Sequence, residues 1–184
     1  MKKMMVALAW LVGLSAMGGD AQTAHAVCAS GRADLWDASV FLPDAKCPML
    51  WVDGTNDFAF PLSRVRRSAA LAAKVPHVFS THLRMVHSHG EPDEGPREIL
   101  AFADHFAREG KDVVRVGEAR REVSMVTAAF EANGRKVVRA ELLWTASGAD
   151  VKWSKRFWKK RVISDFDPMS GSVSATLPKT HSGG

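Results

Sequence analysis

The chain has 184 residues, 46% apolar and 24% charged, with a net charge of +5. That composition excludes a disordered chain and fits one ordinary domain, or a small one with an appendage. The excess of positive charge is too small to call for a nucleic-acid partner, and none is expected.

Residues 1–26 read as a secretory leader. "MKKMM" is a basic start, "VALAWLVGLSAMGG" has the length of a signal core, and "AHA" at Ala24–Ala26 supplies small residues for cleavage. The apolar run is shorter than the about 20 residues a membrane span needs, so no span is expected once the leader is gone. The expected location is therefore periplasmic or extracellular. Cys28 and Cys47 are the two cysteines. In an oxidising compartment they could pair, or they are two unrelated thiols with Cys47 buried beside a strand. Neither belongs to a metal pattern, and no metal or cofactor is expected.

After a polar lead-in with anchors at Leu35, Trp36, Phe41 and Leu42, the apolar run "PMLWVD" predicts a strand covered on both faces. "SRVRRSAALAAKV" predicts a helix with Ser63 as N-cap and Val65, Ala69, Leu71 and Ala72 on its apolar stripe. The alternation in "HVFSTHLRMVH" predicts a second strand. "GPREILAFADHFARE" predicts a second helix, with Pro96 at its start and Ile99, Phe102, Ala103 and Phe106 on one face. Strand, helix, strand, helix is the pattern of a parallel sheet with covering helices.

Near Gly110 the character changes to short β-type runs separated by turn residues. Five strands over about seventy residues suggest a β-sandwich module, with Asn133-Gly134 as a tight turn. The closing "PKTHSGG" supplies no final strand, so the module is expected to be cut short. Within it, "KWSKRFWKKR" (152–161) interleaves Trp153, Phe157 and Trp158 with six cations. The simplest reading is a sandwich strand with aromatics inward and long cationic chains in water. A grip on acidic polysaccharide or another anionic surface is the alternative.

Asp57 follows the first predicted strand and His87 ends the second. Acyl transfer needs an imidazole to take the nucleophile's proton and a carboxylate to hold that ring. In α/β-hydrolases acid and base follow successive late strands, so both would open onto one sheet edge. "LWDASVFLPDAKCPMLWVDGTNDFAFPL" and "RMVHSHGEPDEGPREILAFADHF" resemble the C-terminal part of exported α/β-hydrolases of the acetyl xylan esterase or dienelactone hydrolase-like type. They are also similar to PhoPQ-activated pathogenicity-related proteins. "GTNDFAFP" and "HSHG" carry the resemblance, and "AELLWTASGADVKWSKRFW" matches the appended β-module more loosely.

That resemblance implies an α/β fold: the C-terminal part of an α/β-hydrolase parallel sheet at 27–110, then a small β-sandwich-like module at 111–184. It implies Asp57 as triad acid and His87 as base, with His89 as the alternative base. The implied activity is serine-type hydrolysis of acetyl or acyl esters, on small molecules or carbohydrate. The nucleophile is missing from this reading. "VGLSAMGG" around Ser15 departs from G-x-S-x-G and is better explained by the leader. Ser39, Ser63 and Ser88 sit in no elbow. A nucleophile-bearing half supplied elsewhere is therefore implied, and independent catalysis is not expected. A non-catalytic secreted binding module using the basic strand is the alternative function. Asp53 reads as a local hydrogen-bonding residue, and Glu91, Asp93 and Glu94 as a solvated loop.

Overall fold

The computed structural model describes residues 4–9, 38–87 and 97–178. After β1 (Met4–Ala9), a short helix α1 (Ala38–Phe41) and a 3-10 turn (Leu42–Asp44) lead into β2 (Met49–Gly54), formed by the run "MLWVDG". Helix α2 (Leu62–Leu71) then crosses over to β3 (His77–His82), which pairs parallel with β2 from Met49↔His77 to Gly54↔His82. Pro61 is the N-cap of α2, with no side-chain cap; Ser63 lies exposed inside the helix. Leu62 and Ala69 are buried one above the other, as seven residues require, whereas Leu71 is exposed. Nine positions from Leu62, at roughly 3.6 residues per turn, Leu71 falls on the opposite side.

Helix α3 (Arg97–Arg108) forms over the expected stretch, but none of its residues is buried. Ile99 and Phe106 on its apolar face are 40% and 42% exposed.

The expected α/β-hydrolase sheet is not formed. Its strand-helix signal yields only the two-stranded parallel sheet β2–β3. Nor is β2 covered on both faces: Met49–Val52 are only partly buried, and Phe79 on β3 is exposed. The physical reason is the change of pattern after α3. From residue 111 the sequence alternates with a period of two between turns, and such runs pair antiparallel in small sheets rather than extending a parallel one.

Those strands are β4 (Arg115–Val116), β5 (Arg120–Glu122), β6 (Met125–Glu131), β7 (Val137–Thr145), β8 (Trp158–Ile163) and β9 (Ser172–Thr176). β6 carries β4 and β5 end to end along one edge and β9 along the other, all antiparallel. β7 pairs antiparallel with β8. Its other edge pairs parallel with β1, a segment of the expected leader. Val126, Ala128 and Phe130 of β6 meet Ala140 and Leu142 of β7, Ile163 of β8 and Val173 of β9 in one apolar cluster between the two sheets. Asn133 and Gly134 form the expected turn, both with positive φ (52° and 71°) and closed by Arg135 N–H to Ala132 C=O at 2.9 Å. The turn passes the chain from one sheet to the other, since β6 and β7 belong to different ladders.

The stretch 152–161 is a 3-10 turn (Trp153–Lys155) followed by β8, not one strand. Trp158 is fully buried, and Trp153 packs beside it with Leu143 and Leu62. Phe157 points the other way and is 58% exposed. This second apolar cluster joins the β-rich part to the start of α2, which matters for the site.

Candidate active site

The loop Gly54–Asp57 at the carboxyl end of β2 is built by contacts far apart in sequence. Gly54 is required by close approach: a Cβ there would land on the carbonyl of Met85. Thr55, fully buried, accepts the backbone N–H of Arg84 on Oγ1 at 2.8 Å, while its own N–H donates to His82 C=O at 2.9 Å. Arg84 takes a positive φ of 59° in that turn. Asn56 donates from Nδ2 to the carbonyls of Ser154 and Arg156, at 3.1 and 2.9 Å. Arg84 donates in turn to Trp158 C=O at 3.2 Å. The acid loop and the loop after β3 are thus tied to each other and braced by the turn before β8.

Asp57 is buried within this frame. Its Oδ1 accepts the backbone N–H groups of Ala59 and Phe60 at 2.7 and 2.9 Å. Its Oδ2 lies 3.1 Å from Nδ1 of His87. A carboxylate only accepts, so Nδ1 is the donating ring nitrogen in this pair. Phe58 and Phe60 flank the imidazole, each with its ring centroid 5.5 Å away. The two expected residues are therefore brought together, with the acid oriented by two backbone donors and the base oriented by the acid. His89, the alternative base, lies outside the described residues, as do Ser15, Cys28, Ser88, Glu91, Asp93 and Glu94. Ser63 is exposed on α2, and Cys47 is exposed rather than buried beside the strand.

Asp53 is 4% exposed. Its Oδ1 accepts the N–H of Gly54 at 2.7 Å, the local bond expected of it, but its Oδ2 has no hydrogen-bond partner. Burial pushes its carboxyl up to about 7, with the Asp57 charge adding to the rise and the Gly54 bond and His87 opposing it.

A second titratable cluster lies on β3. Oε1 of Glu98, in the first turn of α3, accepts from Ser80 Oγ and from His82 Nε2, both at 2.5 Å. Burial pushes Glu98 up, but the bonds from Ser80, its own backbone N–H and His82 outweigh that and hold it below its ordinary value. Ser80 Oγ also lies 3.2 Å from His82 Nε2, but that is the nitrogen facing Glu98, so the acid does not orient the ring from the side away from the serine, and the cluster reads as the tether of α3.

Sequence reasoning missed Gly54, Thr55, Asn56 and Arg84. Nothing local in "GTN" indicates partners at residues 154 and 156. Among the described residues no group of three His, Cys, Asp or Glu is placed to hold a metal ion, and no helix is long and apolar enough to cross a membrane. Comparison with known protein families, with curated proteins and with solved structures finds no match.

Proposed function

We propose that this chain carries the acid–base pair of a carboxylic ester hydrolase, acting on acetyl or acyl esters outside the cytoplasm. The observation that carries the reading is the Asp57–His87 pair: a buried carboxylate fixed by two backbone N–H groups, 3.1 Å from the imidazole. Nε2 of His87 takes the proton of a serine hydroxyl as its oxygen attacks the ester carbonyl. The imidazolium that results is stabilised by Asp57, and then returns the proton to the departing alkoxide. The acyl group passes to the serine and is released by water, with His87 acting as base a second time. That serine comes from outside the described residues, on this chain or on a second polypeptide. No cofactor enters the scheme.

The test is turnover of p-nitrophenyl acetate by the purified chain beside Asp57→Ala, His87→Ala and Ser15→Ala. The reading expects that turnover above buffer falls by at least about 10²-fold without His87 or Asp57 and is unchanged without Ser15. Equal turnover in the His87 variant would overturn it, and an inactive chain would place the serine on a second polypeptide.

A second reading, a secreted binding surface, is favoured by one feature. Exposed Phe157 has the Arg84 guanidinium 4.7 Å and the Lys159 ammonium 5.9 Å from its ring centre. Retention on an anionic polysaccharide column, lost at high salt and in Phe157→Ala, would support it.

A further inference from the structure

Residues 55–60 divide into an inward and an outward half. Thr55, Asn56 and Asp57 engage their side chains within the protein. Thr55 Oγ1 accepts the Arg84 N–H at 2.8 Å and donates to Asn56 Oδ1 at 3.1 Å. Asn56 Nδ2 reaches the Ser154 and Arg156 carbonyls. Both oxygens of Asp57 are engaged, one by the Ala59 and Phe60 N–H groups and the other by His87. Phe58 and Phe60 stand outward instead, 68% and 55% exposed.

Single apolar residues scattered over a surface are ordinary. These two are set apart by where they stand. Each ring centre lies 5.5 Å from that of the His87 imidazole, Phe58 edge-to-face at 81° and Phe60 tilted by 53°. The backbone that carries them is also fixed. The N–H groups that hold the Asp57 carboxylate belong to Ala59 and Phe60 themselves, so the acid that orients the base also places the rings. The acyl or alkoxy group of an ester attacked beside His87 therefore has Phe58 and Phe60 as neighbours.

The chemistry of those neighbours narrows the group. A sugar needs hydrogen-bonding side chains for its hydroxyls as well as a ring to stack on. The polar side chains of this loop are already engaged within the protein. A flat aromatic group needs only the ring surfaces, and its ring-on-ring contacts add to the area it buries.

We propose that Phe58 and Phe60 hold the aromatic group of a small ester against His87, so that aryl esters rather than acetylated carbohydrate are the substrates of this site. This substrate class rests on the ester-hydrolase reading of Asp57 and His87 and narrows it.

Binding at equilibrium tests it whether or not the chain turns esters over. Acetophenone has the ring and carbonyl of an aryl ester but no leaving group. It is titrated into the ¹³C-labelled full chain beside acetone and methyl xyloside. The expected result is a saturable shift of the His87 ring signals with acetophenone, at concentrations about tenfold lower than with either control. Phe58→Ala and Phe60→Ala should each weaken acetophenone binding about threefold to tenfold. Both side chains are exposed, so neither substitution empties a core position. No saturable shift with acetophenone would overturn the proposal. So would xyloside binding as tight as that of acetophenone, or an acetophenone affinity unchanged in both variants. Failure of the ester reading shows separately, as p-nitrophenyl acetate turnover that His87→Ala leaves intact.

Discussion

Replacing Asp53 by asparagine should reverse the sign of its effect on stability between acid and alkaline pH. The native carboxyl is pushed from an ordinary 3.8 to about 7. Below 3.8 the group is protonated in both states. Between the two values the unfolded chain has lost the proton and the native chain still holds it, so stability falls as pH rises. Above about 7 the loss is complete. Roughly three pH units at about 1.36 kcal/mol each make it about 4 kcal/mol in total. The asparagine side chain has no charge to bury. It keeps an oxygen for the Gly54 N–H but puts an unpartnered amide N–H₂ where Oδ2 stands, at a cost of about 1–3 kcal/mol at every pH. The Asp53→Asn variant should therefore be about 1–3 kcal/mol less stable than wild type at pH 4 and about 1–3 kcal/mol more stable at pH 8.5. Urea unfolding of both proteins at the two pH values measures the difference directly. Parallel stability profiles from pH 4 to 8.5 would refute the assignment of Asp53 as a buried, ionisation-resisting acid.

Gly54→Ala puts a methyl onto the Met85 carbonyl two residues before His87, so stability should drop by about 2 kcal/mol or more and the His87 ring signals should shift. Thermal unfolding with imidazole NMR checks both. Glu98→Gln removes the carboxylate that tethers α3 to Ser80 and His82. Since the native Glu98 lies below its ordinary 4.5, its stabilisation is present above pH 4.5 and is lost as pH falls through the lower native value. Hydrogen exchange of the α3 amides should therefore accelerate in Glu98→Gln at pH 7, and the two proteins should converge in acid.

How much of this was legible in the sequence depends on the range of each contact. Local pattern located the described helices α2 and α3 and the turn at Asn133-Gly134, and the alternation in "MVTAAFE" matches the in-and-out burial of β6. Local pattern also set Asp57 and His87 after adjacent parallel strands, but β3 stops at His82 rather than running to His87, and the turn through Arg84 carries His87 back to Asp57. It failed where burial is decided by remote partners. The apolar stripe of α3 predicts a packed face, yet no residue of that helix is buried. The aromatic side chains of 153–158 all look like core residues, yet Phe157 faces out because adjacent positions of an extended chain point to opposite sides. The run "PMLWVD" promised a fully covered strand, but the parallel sheet it implied has only two strands, so its middle is half-buried. The bracing of the acid loop is the clearest case. Asn56 and the carbonyl of Arg156 are 100 residues apart, and neither segment carries a local mark of the other.

The whole functional account rests on Asp57 holding His87 with its proton on Nδ1. Long-range ¹⁵N–¹H correlation of the imidazole at alkaline pH reads that tautomer directly, in wild type and in Asp57→Asn. The account predicts an Nδ1–H imidazole in the wild-type protein that is lost, or exchanges with the Nε2–H form, once the carboxylate is an amide. An Nε2–H ring in wild type, indifferent to the Asp57 substitution, would contradict it.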